Sequence, residues 1–405
     1  MTAPPRAPTR PEGAAEAPAT TAEAAPPPDA EADAPPPSAP LDLPPPPPTT
    51  VVEVIYPPHR GAIGLRGGPP LSWEQTRAPD RVEGDRHIFH VEIPPGGVVE
   101  LKTVRDDDWA GGRNYGLHAG DDLVLRPHFD REGSALDGPH VMSFVEGELR
   151  YEVLLPPSYG EQETKRYPVV YALDGQSLWS SSNDPYGVWA LETVVDGLYE
   201  LDAMSEVIIV GIHTSDRRIE RLSPVADAKY GGGEGPQLLQ RVAEGLMPKI
   251  CEGYRCKPGA ENTALLGSSM GGLFAFFAAW TRPDLFGKAA CLSPSFWWSD
   301  RYAVRMVGQG GCPAPRPMLY LDSGAPISAF ERDANVRDGF HHMRSMYRAL
   351  VGHCYRPGED FHYLLFPGHK HEAASWAARV AIPLQLLFPP TPSSPRYTPA
   401  DREPT

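Results

Sequence analysis

Gly267-Ser268-Ser269-Met270-Gly271 places a serine between two glycines at the spacing of a nucleophile elbow. The apolar run Thr263-Ala264-Leu265-Leu266 before it predicts a strand, and Gly272 to Trp280 after it predicts a helix. A serine at that junction sits on a strained turn with its hydroxyl above the sheet. Side chains at positions 267 and 271 would collide with the neighbouring strand and helix. The chemistry this permits is attack of the Ser269 hydroxyl on a carbonyl carbon. The amides at the start of the helix would face the oxyanion that forms.

A serine needs a base and an acid, here expected in the chain order Ser, Asp/Glu, His. The segment Phe366-Pro367-Gly368-His369-Lys370-His371-Glu372 offers two imidazoles, His371 and His369, between a strand and the last helix. Either could take the serine proton and return it to the leaving group. The acid should follow the strand Met318 to Leu321, where Asp322, Glu331 and Asp333 lie. Asp322 ends the strand and could cap the turn Ser323-Gly324. Glu331 and Asp333 stand at the mouth of a predicted helix. Asp333 is taken as the acid, with Glu331 next. The oxyanion hole needs two backbone amides. Met270, which follows the nucleophile, supplies one; Gln176, in the loop Asp174-Gly175-Gln176-Ser177 after another apolar strand, supplies the second.

The elements that must position these groups alternate. Arg150 to Pro157, Tyr167 to Leu173, Val207 to Ile212, Thr263 to Leu266, Ala289 to Leu292, Met318 to Leu321 and Phe361 to Phe366 read as strands. Several lack polar alternation, as expected for a sheet covered on both faces. Helices are predicted between them, notably Gln237 to Cys251, Val336 to Leu350 and Glu372 to Leu387. The fold class is therefore α/β, a mostly parallel sheet with helices on both faces, over 138–388.

Before it, 51–137 reads as short strands separated by Gly, Pro and Asp, which suggests a small antiparallel β-sandwich. Residues 1–50 contain 17 prolines and little that is large and apolar, so they cannot offset the entropy of ordering and are expected to be a disordered tail. The run Pro44 to Pro48 favours polyproline II, and 389–405 is a second tail of similar composition.

A net charge of -15 argues against nucleic acid or an anionic membrane surface as partner. No stretch is apolar enough to span a bilayer and no signal peptide is visible, so a cytoplasmic location is the expectation. Five cysteines, Cys251, Cys256, Cys291, Cys312 and Cys354, form no disulfide framework; Cys251 and Cys256 could pair in an oxidising compartment. His341-His342 with Asp338, on a predicted helix, is a weak metal candidate. Gly231-Gly232-Gly233-Glu234-Gly235 lacks the lysine of a phosphate loop and reads as a flexible loop. No metal or cofactor is expected.

The catalytic region resembles the Putative esterase family of the α/β-hydrolase superfamily, which includes enterochelin, esterase D-type and feruloyl esterases. The resemblance runs over about 250 residues. It rests on Leu155-Pro156-Pro157-Ser158-Tyr159, Tyr167 through Gly175, Val210-Gly211-Ile212 with Asp216-Arg217, Gly267 through Leu273, Ser293 through Trp298, and Gly368 through His371 with Trp376. The family's histidine stands five residues before a tryptophan, which His371 and Trp376 fit and His369 does not. The resemblance also implies the oxyanion role of Gln176 and a cleft wall from Phe296 to Trp298. Trp297 and Trp298, with Asp174, are thus the candidate substrate-binding residues. Relatives often carry an acid just after the strand glycine, whereas Gly324-Ala325-Pro326-Ile327 has none, which moves the acid role to Glu331 or Asp333, or leaves a Ser-His pair with a displaced helper. The implied activity is that of a serine carboxylester hydrolase working through an acyl-enzyme on a small-molecule ester, such as an acylated sugar or a siderophore-like ester. Acyl transfer to a sugar hydroxyl and a non-catalytic binding role are the alternatives.

Overall fold

The structure is a computed structural model that describes residues 50–130, 142–146, 149–328 and 338–390. Residues 1–49 and 391–405 of the proline-rich tails, Glu331 and Asp333 lie outside the described residues.

The first strands are β1 (Thr50–Ile55), β2 (Ile63–Gly67), β3 (Arg81–Glu83), β4 (Arg86–Val91), β5 (Val98–Arg105), β6 (Asp108–Trp109), β7 (Tyr115–His118) and β8 (Asp122–Leu125). They form two sheets, one in the order β3-β4-β1-β8 and one in the order β2-β5-β6 with β7 also on β5. Alternate residues face inward, and Val52, Val54, Phe89, Leu65, Leu101 and Leu117 form the core between them. The sandwich is not wholly antiparallel as expected: β1 pairs with β8 in parallel, Val51 opposite Asp122. Chain returning from the other sheet enters at the open edge of β1 in the same direction as β1 itself.

The larger sheet consists of β9 (Met142–Glu146), β10 (Leu149–Leu154), β11 (Val169–Leu173), β12 (Ile208–Ile212), β15 (Thr263–Ser268), β16 (Lys288–Leu292), β17 (Met318–Ala325) and β18 (Phe361–Pro367). Its order is β9-β10-β12-β11-β15-β16-β17-β18. Two-residue strands β13 (Ala226–Asp227) and β14 (Gly231–Gly232) make a separate hairpin. Strands β11, β12 and β15 are buried at every position, so each needs an apolar cover on both faces, and two separate cores supply it. Phe274, Phe276 and Trp280 of the helix Met270–Thr281 fill one core; Trp179, Tyr199 and Tyr320 lie in the other. From β12 through β18 neighbouring strands run parallel, while β10 is antiparallel to β12 and to β9. This is an α/β-hydrolase fold.

Parallel strands present all their carboxyl ends at one edge, and the loops there are where such sheets place their sites. The loops after β11, β15, β17 and β18 carry Gln176, Ser269, Asp338 and His371 respectively.

The sandwich is fastened to the sheet by buried polar groups. Glu161, just after β10, accepts hydrogen bonds from Tyr56 Oη (2.9 Å) and from the amides of Phe129 (2.9 Å) and Asp130 (2.5 Å). Gln162 Nε2 donates to the Pro127 carbonyl at 2.6 Å. One disulfide joins Cys312 to Cys354, against the expectation of no such framework, while Cys251, Cys256 and Cys291 are free thiols. The helix Phe340–His353 delivers Cys354 to the loop that holds Cys312, a long-range meeting that spacing does not reveal. Among the described residues no helix is long and apolar enough to cross a membrane.

Candidate active site

Ser269 is the pivot between β15 and its helix, with φ 54° and ψ -119°. That conformation is costly for a residue with a Cβ and persists because neighbours fix it. Its amide donates to the Leu292 carbonyl (2.9 Å), and its carbonyl accepts from the amides of Leu273 (3.0 Å) and Ser295 (2.9 Å). Glycine at 267 is a matter of space: a Cβ there would come within 2.5 Å of the Gly271 backbone. The strand and helix touch backbone to backbone, which is what lifts the Ser269 side chain clear.

The Ser269 hydroxyl lies 2.9 Å from His371 Nε2. On the other side of the ring, His371 Nδ1 is 2.5 Å from Asp338 Oδ1. The ring stands edge-on to Trp376, with centroids 5.1 Å apart and planes at 88°. His369 is turned away: its ring packs 5.4 Å from Phe366, and its carbonyl sits where a side chain on Gly324 would be.

The carboxylate on His371 is that of Asp338, not of Asp333, which lies outside the described residues. The position follows from where the helix starts. Sequence periodicity begins it at Val336, which would place Asp338 in its first turn. It begins instead at Phe340, behind Asp338 and Gly339 with positive φ of 42° and 67°. Asp338 is thereby an irregular residue turned into the protein, with its side chain fully buried. Gly339 directly after Asp338 is the one local sign of a late helix start, and the same aspartate beside His341 and His342 equally fits a metal cluster.

Asp174 does not line an open cleft. Its carboxylate takes both prongs of Arg218, Nε to Oδ1 at 2.8 Å and Nη2 to Oδ2 at 2.7 Å, and the Thr214 hydroxyl as well. Arg218 also reaches the Ser268 carbonyl at 3.3 Å, so one guanidinium ties the turn after β11 to the elbow. A Cβ on Gly175 would lie 2.8 Å from the Gly211 backbone, which requires glycine at that turn. Gln176 follows, its side-chain Oε1 accepting from the Thr214 amide at 3.2 Å, and the turn lies against the elbow. Met270 is the first residue of the helix, where an amide has no partner within the helix. The oxyanion candidates Met270 and Gln176 thus stand at the first position of the elbow helix and in the turn after β11.

The two tryptophans differ. Trp298 is buried and donates its indole N–H to the Val225 carbonyl at 2.7 Å, so it braces the β13–β14 hairpin rather than facing solvent. Trp297 is 39% exposed and meets Tyr230, 50% exposed, at 5.7 Å in an edge-to-face contact. It stands two residues beyond Ser295, whose hydroxyl is 3.3 Å from that of Ser269. The glycine loop read as flexible forms the β14 side of this hairpin, with Gly231, Gly232 and Gly233 all at positive φ.

A hydroxyl, an imidazole and a buried carboxylate in one hydrogen-bonded line can generate an alkoxide-like nucleophile and stabilise the imidazolium left behind.

The model of one family, described as Putative esterase, matches residues 143–380. The ferri-bacillibactin esterase BesA of Bacillus subtilis (strain 168) is 25% identical over 158 residues, 34% of this chain and 51% of that protein. The iron(III) enterobactin esterase of Escherichia coli (strain K12) is 24% identical over 230 residues, 55% of this chain and 52% of that protein. The chain thus spans about half the length of these curated relatives. Among solved structures, the enterobactin esterase FES from Shigella flexneri in the presence of enterobactin aligns over 80% of this chain and 87% of its own, with 17% identity and a TM-score of 0.46.

Proposed function

This chain belongs to the Putative esterase family, and on that premise we propose that it is a serine carboxylester hydrolase with Ser269, His371 and Asp338 as its triad. The observation that carries the proposal is the line Ser269 Oγ, His371 Nε2 and Nδ1, Asp338 Oδ1, with gaps of 2.9 and 2.5 Å.

In this mechanism Ser269 Oγ bonds to the ester carbonyl carbon as His371 Nε2 takes the hydroxyl proton. The carbonyl oxygen becomes an oxyanion held by the amides of Met270 and Gln176. Collapse breaks the carbon–oxygen bond to the alcohol, which leaves with the proton from His371, and Ser269 is acylated. Water then gives its proton to His371 and attacks the acyl carbon. The second collapse returns the proton to Ser269 and releases the carboxylic acid. Asp338 keeps His371 in the tautomer with its proton on Nδ1 and balances the imidazolium twice per cycle.

The substrate we favour is an ester bearing an aromatic acyl or alcohol part, of the siderophore-like kind named for the relatives. Its support here is the exposed Trp297–Tyr230 pair, an aromatic surface close in sequence to Ser295 and so to the nucleophile.

The test is hydrolysis of p-nitrophenyl acetate and butyrate, and of tri-catecholate and hydroxamate siderophore esters, by wild type and Ser269→Ala, with a fluorophosphonate label mapped by mass spectrometry. Label on Ser269 and turnover lost in Ser269→Ala are expected. Turnover that survives in Ser269→Ala would overturn the mechanism.

A further inference from the structure

Beneath the triad lies a second layer of charge that the mechanism above does not use. Asp322, within β17, and Arg379, beyond the helix Ala373–Ala377, are both fully buried. Arg379 Nη2 lies 3.0 Å from Asp322 Oδ1, 2.5 Å from Ser293 Oγ and 3.6 Å from Asp338 Oδ2. Its guanidinium also stands 5.2 Å over the Phe366 ring. The other Asp322 oxygen accepts from Tyr320 Oη at 2.9 Å, and the Ser293 amide donates to Asp322 Oδ1 at 3.1 Å.

Ser293 joins the two layers. Its hydroxyl accepts from Arg379 Nη2 and from Trp376 Nε1 at 3.1 Å. A hydroxyl has two acceptor positions and one proton. With both acceptor positions taken, the proton has one direction left, toward Asp338 Oδ2 at 2.5 Å. The same oxygen accepts from the Gly324 amide at 2.5 Å. Asp338 is therefore gripped on Oδ2 by the Gly324 amide and by the Ser293 hydroxyl, whose proton Arg379 and Trp376 aim, and Oδ1 is left to His371.

The charges have a consequence of their own. Asp322, Asp338 and Arg379 together carry one excess negative charge when both acids are ionised. An imidazolium on His371 brings that buried group to neutrality, as the transition state requires.

We propose that Arg379 and Asp322 are positioning residues for the triad acid, acting through Ser293 to aim Asp338 at His371 and to favour its imidazolium. The inference rests on the triad reading above. Groups facing Asp322 are Arg379, Tyr320 of its own strand, Cys291 of β16, Ser293 and Asp338.

The test is kcat, KM and the pH profile of kcat/KM for p-nitrophenyl butyrate in wild type, Asp322→Asn, Arg379→Met, Arg379→Lys and Ser293→Ala, each checked for folding by circular dichroism. Arg379→Met and Ser293→Ala are expected to lose roughly 10- to 100-fold in kcat with KM little changed, the size typical of partners one shell out from a reactive group. Arg379→Lys should recover part of the loss by keeping the charge. In Asp322→Asn, removing a negative charge makes the imidazolium less favourable, so the acid limb of kcat/KM should move to lower pH. Asp322→Asn changes no volume and keeps the test open should Arg379→Met fail to fold. An Asp322→Asn profile superimposable on wild type, with wild-type kcat, would overturn the proposal while leaving the esterase reading intact. Absence of turnover and of label in wild type would instead remove the triad reading, and this inference with it.

Discussion

Asp338 Oδ1 meets His371 Nδ1 at 2.5 Å across a sequence separation of 33 residues, with the aspartate side chain wholly out of solvent. A buried carboxylate in that position fixes the tautomer of the imidazole, because Nδ1 must hold the proton for the pair to form. Asp338→Asn keeps the shape but reverses what Nδ1 meets at one of its two amide orientations. Loss of kcat by about 10⁴-fold is expected, the cost of the same change in a well-understood triad. Asp333→Asn and Glu331→Gln should stay within about threefold of wild type on the same assay, a difference of well under 1 kcal/mol. Near-normal activity in Asp338→Asn with a large loss in Asp333→Asn would return the role to Asp333.

The two histidines of the last loop separate in the same assay. His371→Ala removes the proposed base and should cost on the order of 10⁴-fold or more in kcat. His369→Ala should retain activity, since its ring packs on Phe366 rather than reaching Ser269.

What the sequence discloses and what it conceals divide along the range of the interactions. The elbow is local: one strand, one turn and one helix within a dozen residues, with glycines whose absence would close the space. Ser269 is legible for that reason, and its partner His371 through the family resemblance that the spacing to Trp376 carries. Asp338 depends on a helix beginning four residues later than periodicity suggests, a boundary set by a left-handed glycine and by the grip of Ser293 and Gly324. Asp174 carries the charge and place of a substrate ligand, yet Arg218, 44 residues away, consumes its carboxylate. Trp298 is indistinguishable from Trp297 in sequence, and only the carbonyl of Val225 separates a brace from an exposed surface. Alternation of strands and helices reveals a parallel sheet, but the exchange of β11 and β12 in its order arises from crossovers that leave no local trace.

The junction between sandwich and sheet gives a stability prediction. Glu161→Ala would strip partners from the Tyr56 hydroxyl and from the amides of Phe129 and Asp130, all donors to one buried carboxylate. Each stranded donor costs about 1–3 kcal/mol. A loss of about 3–5 kcal/mol in urea unfolding is expected, with Glu161→Gln losing less because it keeps an acceptor. Unchanged unfolding in Glu161→Ala would show that the junction bears no load.

The Cys312–Cys354 disulfide closes a loop across a separation of 42 residues and ties the far end of the helix that begins just after Asp338. Closure of a loop of that length restricts the unfolded chain by about 4 kcal/mol. Reduction should therefore lower the apparent melting temperature by roughly 6 °C. A melting curve that a reductant does not move would argue against the bond.

Asp322 provides the pH dependence. Burial raises its carboxyl to about 6, with Arg379 opposing the rise and Asp338 adding to it. The folded state thus binds a proton more readily than the unfolded state, where the carboxyl titrates near 3.8. Between those values the native form carries more protons, so this group's contribution to stability falls as pH rises and is lost in full above about 6. A shift of that size corresponds to about 3 kcal/mol. Asp322→Asn cannot titrate. Its stability relative to wild type should therefore improve steadily from pH 4 to pH 7, whatever fixed cost the lost Arg379 contact imposes at every pH. Thermal melts of the two proteins at four pH values in that interval measure the difference directly. A gap between wild type and variant that stays constant, or that widens against the variant as pH rises, would mean that Asp322 is already ionised at pH 4 and that Arg379 holds it so.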